Sequence, residues 1–336
     1  MIDCVITWVD GSDPKWLEEK QKYSDSKISS FTNGQNRFQD NGLLRYWFRG
    51  IEKFAPFFRK IFFVTYGHIP SWLNTNNEKL VIVNHRDFIP EEYLPTFNSN
   101  TILLNLHRIK GLSENFVFFN DDVFLLKPTK ETDFFRKGLP CDYAVQDIIS
   151  APNLDPFWDM MINNTYVINK NFKKKACIRK HFFKWFNFKY GLKLFNKNVL
   201  LYPFNYFTGF YDHHVCASYK KQTFEEVWSK NFELLNEVCK NKFRTVNDIT
   251  EWTMRYWQLA KGDFVPFNKE KFGAYTSLKN IGSSISLIEK NKYKCICLND
   301  ETDEKNTLLL VECLNQLMPN ISTFELKKEE KYETKN

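Results

Sequence analysis

Residues 116–126 read FVFFNDDVFLL, an apolar run that a polar segment interrupts. Phe116–Phe119 have the character of a fully buried β-strand, and Asn120, Asp121 and Asp122 follow it directly. Other short apolar segments also end in turn or polar residues: Ile2–Val9, Lys60–Gly67 and Leu80–Asn84. Strands of such uninterrupted apolar character are typical of a sheet that is covered on both faces.

Helical patterns lie between these segments. Asn41–Lys53 has apolar residues at helical spacing, and Asn100–Ile109 is a second predicted helix, with Ser99 as its cap and Gly111 as its stop. Strands and helices in alternation predict an α/β fold with an open sheet over residues 1–150.

The second half of the chain is richer in helices, aromatic residues and lysine. Thr223 and Glu226 have the spacing of a capping box for a long helix over 224–243, and Asn247 or Asp248 caps the next helix. A last strand and helix are predicted over 293–299 and 307–317. We expect this mainly helical half, residues 151–325, to pack on the first half as one unit, followed by a charged tail over 326–336.

The composition limits the classes of function. The chain has 336 residues and is 43% hydrophobic, which suffices for a folded core. Its net charge of +7 suits anionic substrates, nucleic acids and acidic membrane surfaces equally. The eight cysteines include no C-x-x-C pair, which argues against a zinc site or a disulfide framework. No leader-like segment opens the sequence and no run of about 18 apolar residues occurs, so we expect a cytoplasmic protein without a membrane span.

Two adjacent carboxylates follow the strand that ends at Phe119. Ligands of α/β sheets bind outside the carboxyl ends of the strands, where Asp121 and Asp122 fall. Such a pair needs a cation, and carboxylate oxygens suit Mg²⁺ or Mn²⁺. Alternatively, one aspartate caps a turn and the other is solvated.

Further polar residues are candidates for the same edge. Asp10 and Gly11 follow the first strand and either hold a ribose or base edge or form a solvated Asx-turn. His107 and Arg108 precede the aspartates by few residues and either border the same mouth or are structural.

A second constellation follows in the helical half. His214 ends the segment TGFYDHH, and Lys221 and Arg244 flank the long predicted helix. A histidine of near-neutral pKa accepts a proton from an attacking hydroxyl, and an arginine stabilises charge on a phosphoryl group. His214 and Arg244 converge only if the loops at the ends of that helix fold back.

Cations and aromatic residues alternate over 169–191, NKNFKKKACIRKHFFKWFNFKYG. This pattern suits an RNA, a membrane surface or a polyanionic acceptor. We favour the alternative, an ordinary amphipathic helix with solvated lysines that buries its apolar side chains: Phe172, Cys177, Phe182, Phe183 and Phe186.

In four blocks the sequence resembles the Stealth proteins, a family of sugar-1-phosphate transferases. The first block is ITWVDGSDP at 6–14. The second contains RFQDNGLLRYWFRG at 37–50, LPTFNS at 94–99 and LHRIKGLSENFVFFNDD at 106–122. The third contains TGFYDHH, KKQTFEEVW and FRTVNDITEW, and the fourth contains RYWQLAKGDF, CICLND and STFEL. Together the blocks span nearly the whole chain.

The resemblance implies a GT-A-like open mixed sheet, flanked by helices, that binds a nucleotide-sugar donor. It also implies that a hydroxyl of an oligosaccharide or polysaccharide acceptor attacks the donor's β-phosphorus and that nucleoside monophosphate leaves. By position, Asp122 matches an essential acidic residue and metal ligand, with Asp121 beside it, His214 an essential histidine and Arg244 an essential arginine. The remaining expected substrate-binding residues are Trp8, Asp10, Gly11, Asp40, Asn41, Arg45, His107, Arg108, Asn120, Lys221, Asn299 and Asp300. The resemblance implies no nucleic-acid partner. It does imply assembly at the inner face of the cytoplasmic membrane, with the basic stretch over 169–191 as a peripheral contact.

The chain departs from the family pattern at two positions. Leu103 stands 19 residues before Asp122, where the family commonly has an acidic residue. Val215 and Cys216 follow His214, where the family often has H-x-P. Two other functions therefore stay open at this stage: a conventional metal-dependent glycosyltransferase that attacks the anomeric carbon, and a non-catalytic relative that binds sugar nucleotides.

Overall fold

The computed structural model describes residues 1–24, 42–299 and 303–327, apart from the side chain of residue 304. Asp40, Asn41, Asp300 and most of the predicted charged tail lie outside the described residues. The strands are β1 Ile2–Thr7, β2 Ile61–Thr65, β3 Leu80–Asn84, β4 Asn115–Phe119, β5 Val123–Leu125, β6 Phe135–Arg136, β7 Leu139–Asp142, β8 Ala217–Lys220, β9 Val265–Pro266, β10 Gly273–Ser277 and β11 Cys295–Asn299.

The described helices alternate with these strands in the first half and dominate the second. They are α1 Pro14–Tyr23, α2 Leu44–Phe54, α3 Ser99–Leu104, α4 Glu131–Phe134, α5 Pro156–Asn171, α6 Lys174–Lys180, α7 Phe182–Trp185, α8 Leu192–Leu201, α9 Lys221–Lys230, α10 Phe232–Lys240, α11 Trp252–Lys261, α12 Lys269–Phe272, α13 Ile281–Glu289 and α14 Glu304–Leu317. Within the described ranges, no helix is both long and apolar enough to cross a bilayer.

The central sheet has the order β3-β2-β1-β4-β8. Its first four strands are parallel, whereas β8 runs antiparallel to β4. Alternate residues of β1 face opposite apolar layers: Cys4 and Ile6 pack in one, and Val5 packs in the other. The predicted α/β class and the burial of the sheet on both faces are therefore confirmed.

Smaller sheets join the two halves of the chain. β11 pairs with β10 and with β5, and β9 pairs with β7. Together with β8, these strands of the second half complete sheets that the first half begins. The boundary at residue 150 stays a prediction.

The structure corrects three predicted helices. The helix predicted over 224–243 is wrong, because α9 and α10 are separated at Asn231, whose side chain donates to the Val227 carbonyl. Thr223 is no cap, since its hydroxyl donates to Gln258. The helix predicted over 100–109 starts at Ser99, with Asn98 as its cap, and ends at Leu104.

The single amphipathic helix predicted over 169–191 is also wrong. The segment forms the end of α5, then α6 and α7, each ending in an extended or irregular residue. Phe182 and Phe183, which that helix was to bury, are 47% and 81% exposed.

Candidate functional site

The carboxyl ends of the parallel strands meet at one edge of the central sheet, and the Asn-Asp-Asp segment lies there. The Val123 amide donates to the Asn120 carbonyl at 3.2 Å, which closes the turn between β4 and β5. Asn120 and Asp121 are exposed, whereas Asp122 is half-buried. The turn therefore directs Asp122 back toward the protein.

Asp122 is held by strand β11. The Cys297 thiol donates to Asp122 Oδ2 at 3.3 Å, and the Leu298 amide donates to the Asp122 carbonyl at 2.8 Å. The other carboxylate oxygen, Oδ1, is buried and has no hydrogen-bond partner among the described residues. Burial raises the pKa of Asp122. A buried carboxylate oxygen without a donor is an acceptor site that a cation would satisfy.

The residues at this turn fit a magnesium-type ion. Across the described ranges, no group of three or more His, Cys, Asp or Glu side chains is arranged to hold a metal. Mg²⁺, however, is usually bound by one or two carboxylates together with substrate phosphates and water. Asp122 with its unsatisfied Oδ1, beside the exposed Asp121, has the oxygen donors that this mode requires.

His214 reaches the same edge from the other half of the chain. It lies just before β8, whose first residue, Ala217, pairs with Phe118 of β4. The His214 ring lies against the Tyr275 ring, with 4.7 Å between centroids, and Asn299 Nδ2 donates to the Tyr275 hydroxyl at 3.0 Å. Since Asn299 and Cys297 are both on β11, a chain of contacts joins His214 to Asp122.

The imidazole of His214 is suited to accept a proton. Its side chain keeps exposed surface, yet the surrounding protein desolvates the ring enough to lower its pKa. At neutral pH the ring is therefore uncharged, as a proton acceptor must be.

His213 is structural by contrast. It is 5% exposed, and desolvation together with nearby cations holds its pKa well below the usual range. Its Nδ1 lies 3.2 Å from the Val215 carbonyl, and its ring contacts Trp252. We infer that His213 fixes the backbone on which His214 stands.

A buried ionic cluster, which the sequence did not reveal, supports this segment. Arg255 donates through Nε and Nη2 to both oxygens of Asp142, at 2.8 and 3.0 Å, and through Nη1 to Asp212 at 2.8 Å. The Tyr256 hydroxyl donates to the second oxygen of Asp212. Burial raises the pKa of Asp212 to about 6, so it is ionised at neutral pH. The available signals were Asp212 beside the histidines and Arg255-Tyr256 opening the fourth block.

The side chain of Arg244, in the loop that follows α10, contacts the first residue of α3. Its guanidinium donates to the Ser99 hydroxyl through Nε, at 3.1 Å, and through Nη2. Its loop is fixed by Asp248, which accepts from Asn98 and Asn100 at 2.7 and 2.9 Å. The loop after α10 therefore holds Arg244 against the first residue of α3.

Glu251 connects these two parts of the site electrostatically. It is buried, and desolvation raises its pKa to about 7, with Arg244 lowering the pKa and Asp212 raising it. Arg244 and the segment before His214 are therefore within electrostatic reach of one carboxylate.

The residues after β1 have mainly structural contacts. Trp8 is 7% exposed and stacks on Phe63. The amide and hydroxyl of Ser12 donate to Asp10 Oδ1 at 2.9 and 2.6 Å, which is the Asx-turn alternative. Gly11 lies within this turn at the same edge of the sheet.

Arg45 belongs to the first turn of α2. Its guanidinium lies over the Trp72 ring, 4.9 Å from the centroid, and 3.9 Å from Glu325. The side chain stays 41% exposed and can still reach a ligand.

The structure does not bring His107, Arg108 and Lys221 to the carboxyl edge of the sheet where Asp122 lies. His107 stacks on Phe224 and Arg108 lies over Trp228. The Lys221 amide donates to the Glu114 carbonyl, just before β4 begins. At about 3.3 Å per residue, the length of β4 separates these residues from Asp122 by roughly 15–20 Å.

Leu103 is part of the core. It is 6% exposed and packs in the apolar layer that covers one face of the sheet. At this position the leucine therefore adds to the apolar layer and brings no buried charge.

Comparisons with known proteins agree on one family. Two family models match: "Stealth protein CR1, conserved region 1" over residues 2–28 and "Stealth protein CR2, conserved region 2" over residues 37–141. The chain is 40% identical to the capsular polysaccharide phosphotransferase WcwK of Streptococcus pneumoniae, covering 97% of this chain and 98% of the relative. It is 42% identical to the exopolysaccharide phosphotransferase cps2G of Lactiplantibacillus plantarum, over 89% and 87%.

The similarity to solved structures is lower. A crystal structure of the galactosyltransferase LgtC, with donor and acceptor sugar analogs, aligns over 97% of this chain and 98% of that one, at 11% identity and a TM-score of 0.45.

Proposed function

Since the chain belongs to the Stealth family, we propose that it is a phosphotransferase of bacterial capsule or exopolysaccharide synthesis. The donor is a nucleotide sugar, a UDP-linked hexose or N-acetylhexosamine, and the acceptor is a hydroxyl of an oligosaccharide or polysaccharide. Support comes from capsular and exopolysaccharide phosphotransferases that are about 40% identical over most of the chain. The observation that carries the site is the chain of contacts from Asp122 through Cys297, Asn299 and Tyr275 to His214.

In the proposed reaction, the acceptor oxygen attacks the β-phosphorus of the donor. A new phosphorus–oxygen bond forms, the bond from that phosphorus to the bridging oxygen breaks, and nucleoside monophosphate leaves with the bonding electrons. The product is a phosphodiester between the sugar and the acceptor. His214, uncharged because of its lowered pKa, accepts the proton of the attacking hydroxyl.

Cationic groups balance the charge of the donor. Asp122 and Asp121 would hold Mg²⁺ or Mn²⁺ together with the donor phosphates. When bound, such an ion screens the diphosphate and polarises its oxygens. The guanidinium of Arg244, oriented by the Ser99 hydroxyl, stabilises charge on the phosphoryl oxygens of the transition state.

Several expected substrate contacts keep a place in this proposal. In the proposal, Asn299, Asn120 and the exposed Arg45 line the donor and acceptor pocket at the carboxyl edge, and the Asx-turn of Asp10 borders it. Asp40, Asn41 and Asp300 stay predictions. We leave His107, Arg108 and Lys221 out of the site because of their distance from Asp122. In the proposal the enzyme works in the cytoplasm, against the inner face of the membrane, and has no nucleic-acid partner.

The test is turnover with a panel of nucleotide sugars and an oligosaccharide acceptor, in Mg²⁺ or Mn²⁺. We expect nucleoside monophosphate to be released and phosphorus to appear in the glycan product. Nucleoside diphosphate with a phosphorus-free product would instead identify a conventional glycosyltransferase. Binding of a nucleotide sugar without turnover by any donor would identify a non-catalytic relative.

Variants locate the reaction. Asp122→Asn keeps the shape of the side chain and removes its charge, and His214→Gln removes the proton acceptor. We expect each to lower kcat by about 10²-fold or more. The control is Asp159→Asn, an exposed residue of α5, which should leave turnover unchanged. Full activity in Asp122→Asn or His214→Gln contradicts the assigned role.

A further inference from the structure

The positive charge of the chain is concentrated in one segment. Residues 160–211 contain 10 Lys and Arg and no Asp or Glu. The rest of the chain has 37 Lys and Arg against 40 Asp and Glu and is therefore slightly acidic. This segment, which includes α6, α7 and α8, carries more than the entire positive charge excess.

Helix α8 presents an apolar face to solvent. Leu192, Val199 and Leu200 lie on one side of the helix and are 71%, 47% and 73% exposed. The opposite side is docked through Leu194, Asn198 and Leu201, and Asn198 Nδ2 donates to the carbonyls of Ala144 and Trp185. The exposed leucines are therefore not a consequence of a loosely attached helix.

Aromatic rings extend this face. Phe183 and Phe188 are 81% and 72% exposed, and the Phe188 ring stacks on Phe195 with 4.6 Å between centroids. Beside them lies an open groove of about 530 Å³, lined mainly by phenylalanine rings of α7, α8 and the turn between them. Exposed apolar surface of this extent commonly marks an interaction site.

Cations surround the apolar face. Lys173, Arg179, Lys180, Lys189 and Lys193 are exposed, and none makes an ion pair with another described residue. Lys197, by comparison, is paired with Asp147 at 2.7 Å. The face therefore combines exposed aliphatic and aromatic side chains with several positive charges and no negative charge of its own.

We propose that this face, formed by α6, α7 and α8, docks the enzyme on a membrane surface that contains anionic lipids. Exposed phenylalanine and leucine side chains enter the boundary between headgroups and acyl chains, while lysines bind the anionic headgroups. This docking rests on the proposed function, which places the enzyme at the inner face of the membrane, and it names the surface that makes the contact.

Charge and side-chain type favour a membrane over the other occupants. A second copy of the chain would bring a like-charged face against this one, which is electrostatically unfavourable. A single-stranded RNA stacks its bases on aromatic rings, but it gains little from Leu192, Val199 and Leu200. A bilayer accepts aliphatic, aromatic and cationic side chains together.

The docked face is continuous with the catalytic segment. After α8 the chain passes through the exposed Phe204 and Tyr206 and then turns inward at Phe207. Phe210 stacks on Tyr256 with 4.2 Å between centroids, and Tyr256 donates to Asp212, two residues before His214. Docking would thus hold the active site close to an acceptor that is attached to the membrane.

The test is co-sedimentation of the full chain with vesicles of phosphatidylcholine, with and without about 30% phosphatidylglycerol. We expect binding to the anionic vesicles only, and binding that weakens as salt rises. Lys173→Glu, Lys180→Glu and Lys193→Glu together should weaken binding by about 100-fold or more, since each lysine near the surface contributes about fivefold. Phe183→Ser, Leu192→Ser and Leu200→Ser together should weaken it by about tenfold or more.

The matched control carries the same types of change elsewhere on the surface. Lys290→Glu and Lys292→Glu, with Leu308→Ser on α14, change exposed residues and should leave vesicle binding unchanged. Circular dichroism checks that every variant is folded. Because vesicle binding needs no turnover, its failure is separate from a failure of the proposed reaction.

Four results would overturn the proposal. The first is a wild type that does not bind anionic vesicles, and the second is a control variant that loses as much binding as the two test variants. The third is a labelled RNA oligonucleotide that displaces the chain from vesicles and binds through the same residues. The fourth is a dimer, found by sedimentation velocity, that the serine variant dissociates.

Discussion

The ionic cluster around Arg255 makes a quantitative prediction for Arg255→Met. Each guanidinium N–H has an acceptor: both oxygens of Asp142, one oxygen of Asp212, and the carbonyls of Tyr211 and Tyr143. Arg255 is 1% exposed. Methionine fills most of the volume but removes the donors that Arg255 provides to two carboxylates and two carbonyls, so that Asp142 keeps only the Tyr143 amide and Asp212 the Tyr256 hydroxyl among the described donors.

The size of the effect follows from this burial. Removing one partner of a buried ion pair costs about 3–5 kcal/mol, because the remaining charge is left uncompensated. The total free energy of unfolding of a domain is about 5–15 kcal/mol, so the variant should fold but be clearly less stable. The loss should also depend on pH. Without Arg255 the folded-state pKa of Asp212, which burial already raises to about 6, rises further, so stability that is present at low pH is lost as pH rises through about 6 and above.

Equilibrium urea unfolding, followed by circular dichroism at pH of about 4.5 and about 7.5, measures the difference. The control is Lys261→Met on the same helix, whose lysine is 38% exposed and pairs with Glu226 and Asp263. This exposed pair should contribute less than about 1 kcal/mol. A loss below about 1 kcal/mol in Arg255→Met, or a loss that does not grow with pH, refutes the reasoning. Because Arg255 holds the segment before His214, kcat should fall as well.

Three other predictions concern single positions. Glu251→Gln removes a carboxyl whose pKa burial raises to about 7; between pH of about 4.5 and about 7, the stability of the wild type should fall by about 3 kcal/mol more than that of the variant, and identical pH profiles would refute it. Gly209→Ala should lower the free energy of unfolding by about 1–3 kcal/mol, since φ is +147° and the new Cβ would lie 2.8 Å from Ile149 Cγ1; unchanged urea unfolding would contradict this. Leu103→Glu should lower the free energy of unfolding by about 3 kcal/mol or more at neutral pH, because the substitution puts a carboxylate into an apolar layer. A stable variant with higher kcat would show instead that the position belongs to the active site.

The sheet could be predicted from the sequence because burial on both faces leaves an uninterrupted apolar run. Phe116–Phe119 of β4 is such a run, and its alternate residues pack in opposite layers. The carboxyl edge followed from the same reasoning, since parallel strands end on one side. Asp122 and His214 both lie at that edge. The chain of contacts between them runs through β11, and no local sequence pattern connects β11 to either residue.

Other features could not be read from local patterns. The break at Asn231 depends on a side chain that bonds to the backbone four residues earlier, and Asn231 also accepts from Asn171. The cluster of Arg255 with Asp142 joins residues 113 positions apart. The exposure of Phe183 was missed because a helical pattern assigns phenylalanine to the buried side, whereas the four-residue helix α7 buries Trp185 alone.

The geometry of α3 gives a physical account of Leu103. Ser99 and Leu103 are four residues apart and so share one side of the helix, and Ser99 binds the guanidinium of Arg244. An acidic residue at 103 would lie one turn from that guanidinium and would compete with a donor phosphate for its charge. With leucine there, α3 offers Arg244 a neutral hydroxyl and the leucine completes the apolar layer. In the proposed reaction, the guanidinium of Arg244 is therefore not shared with an acid on α3 and acts on the phosphoryl group.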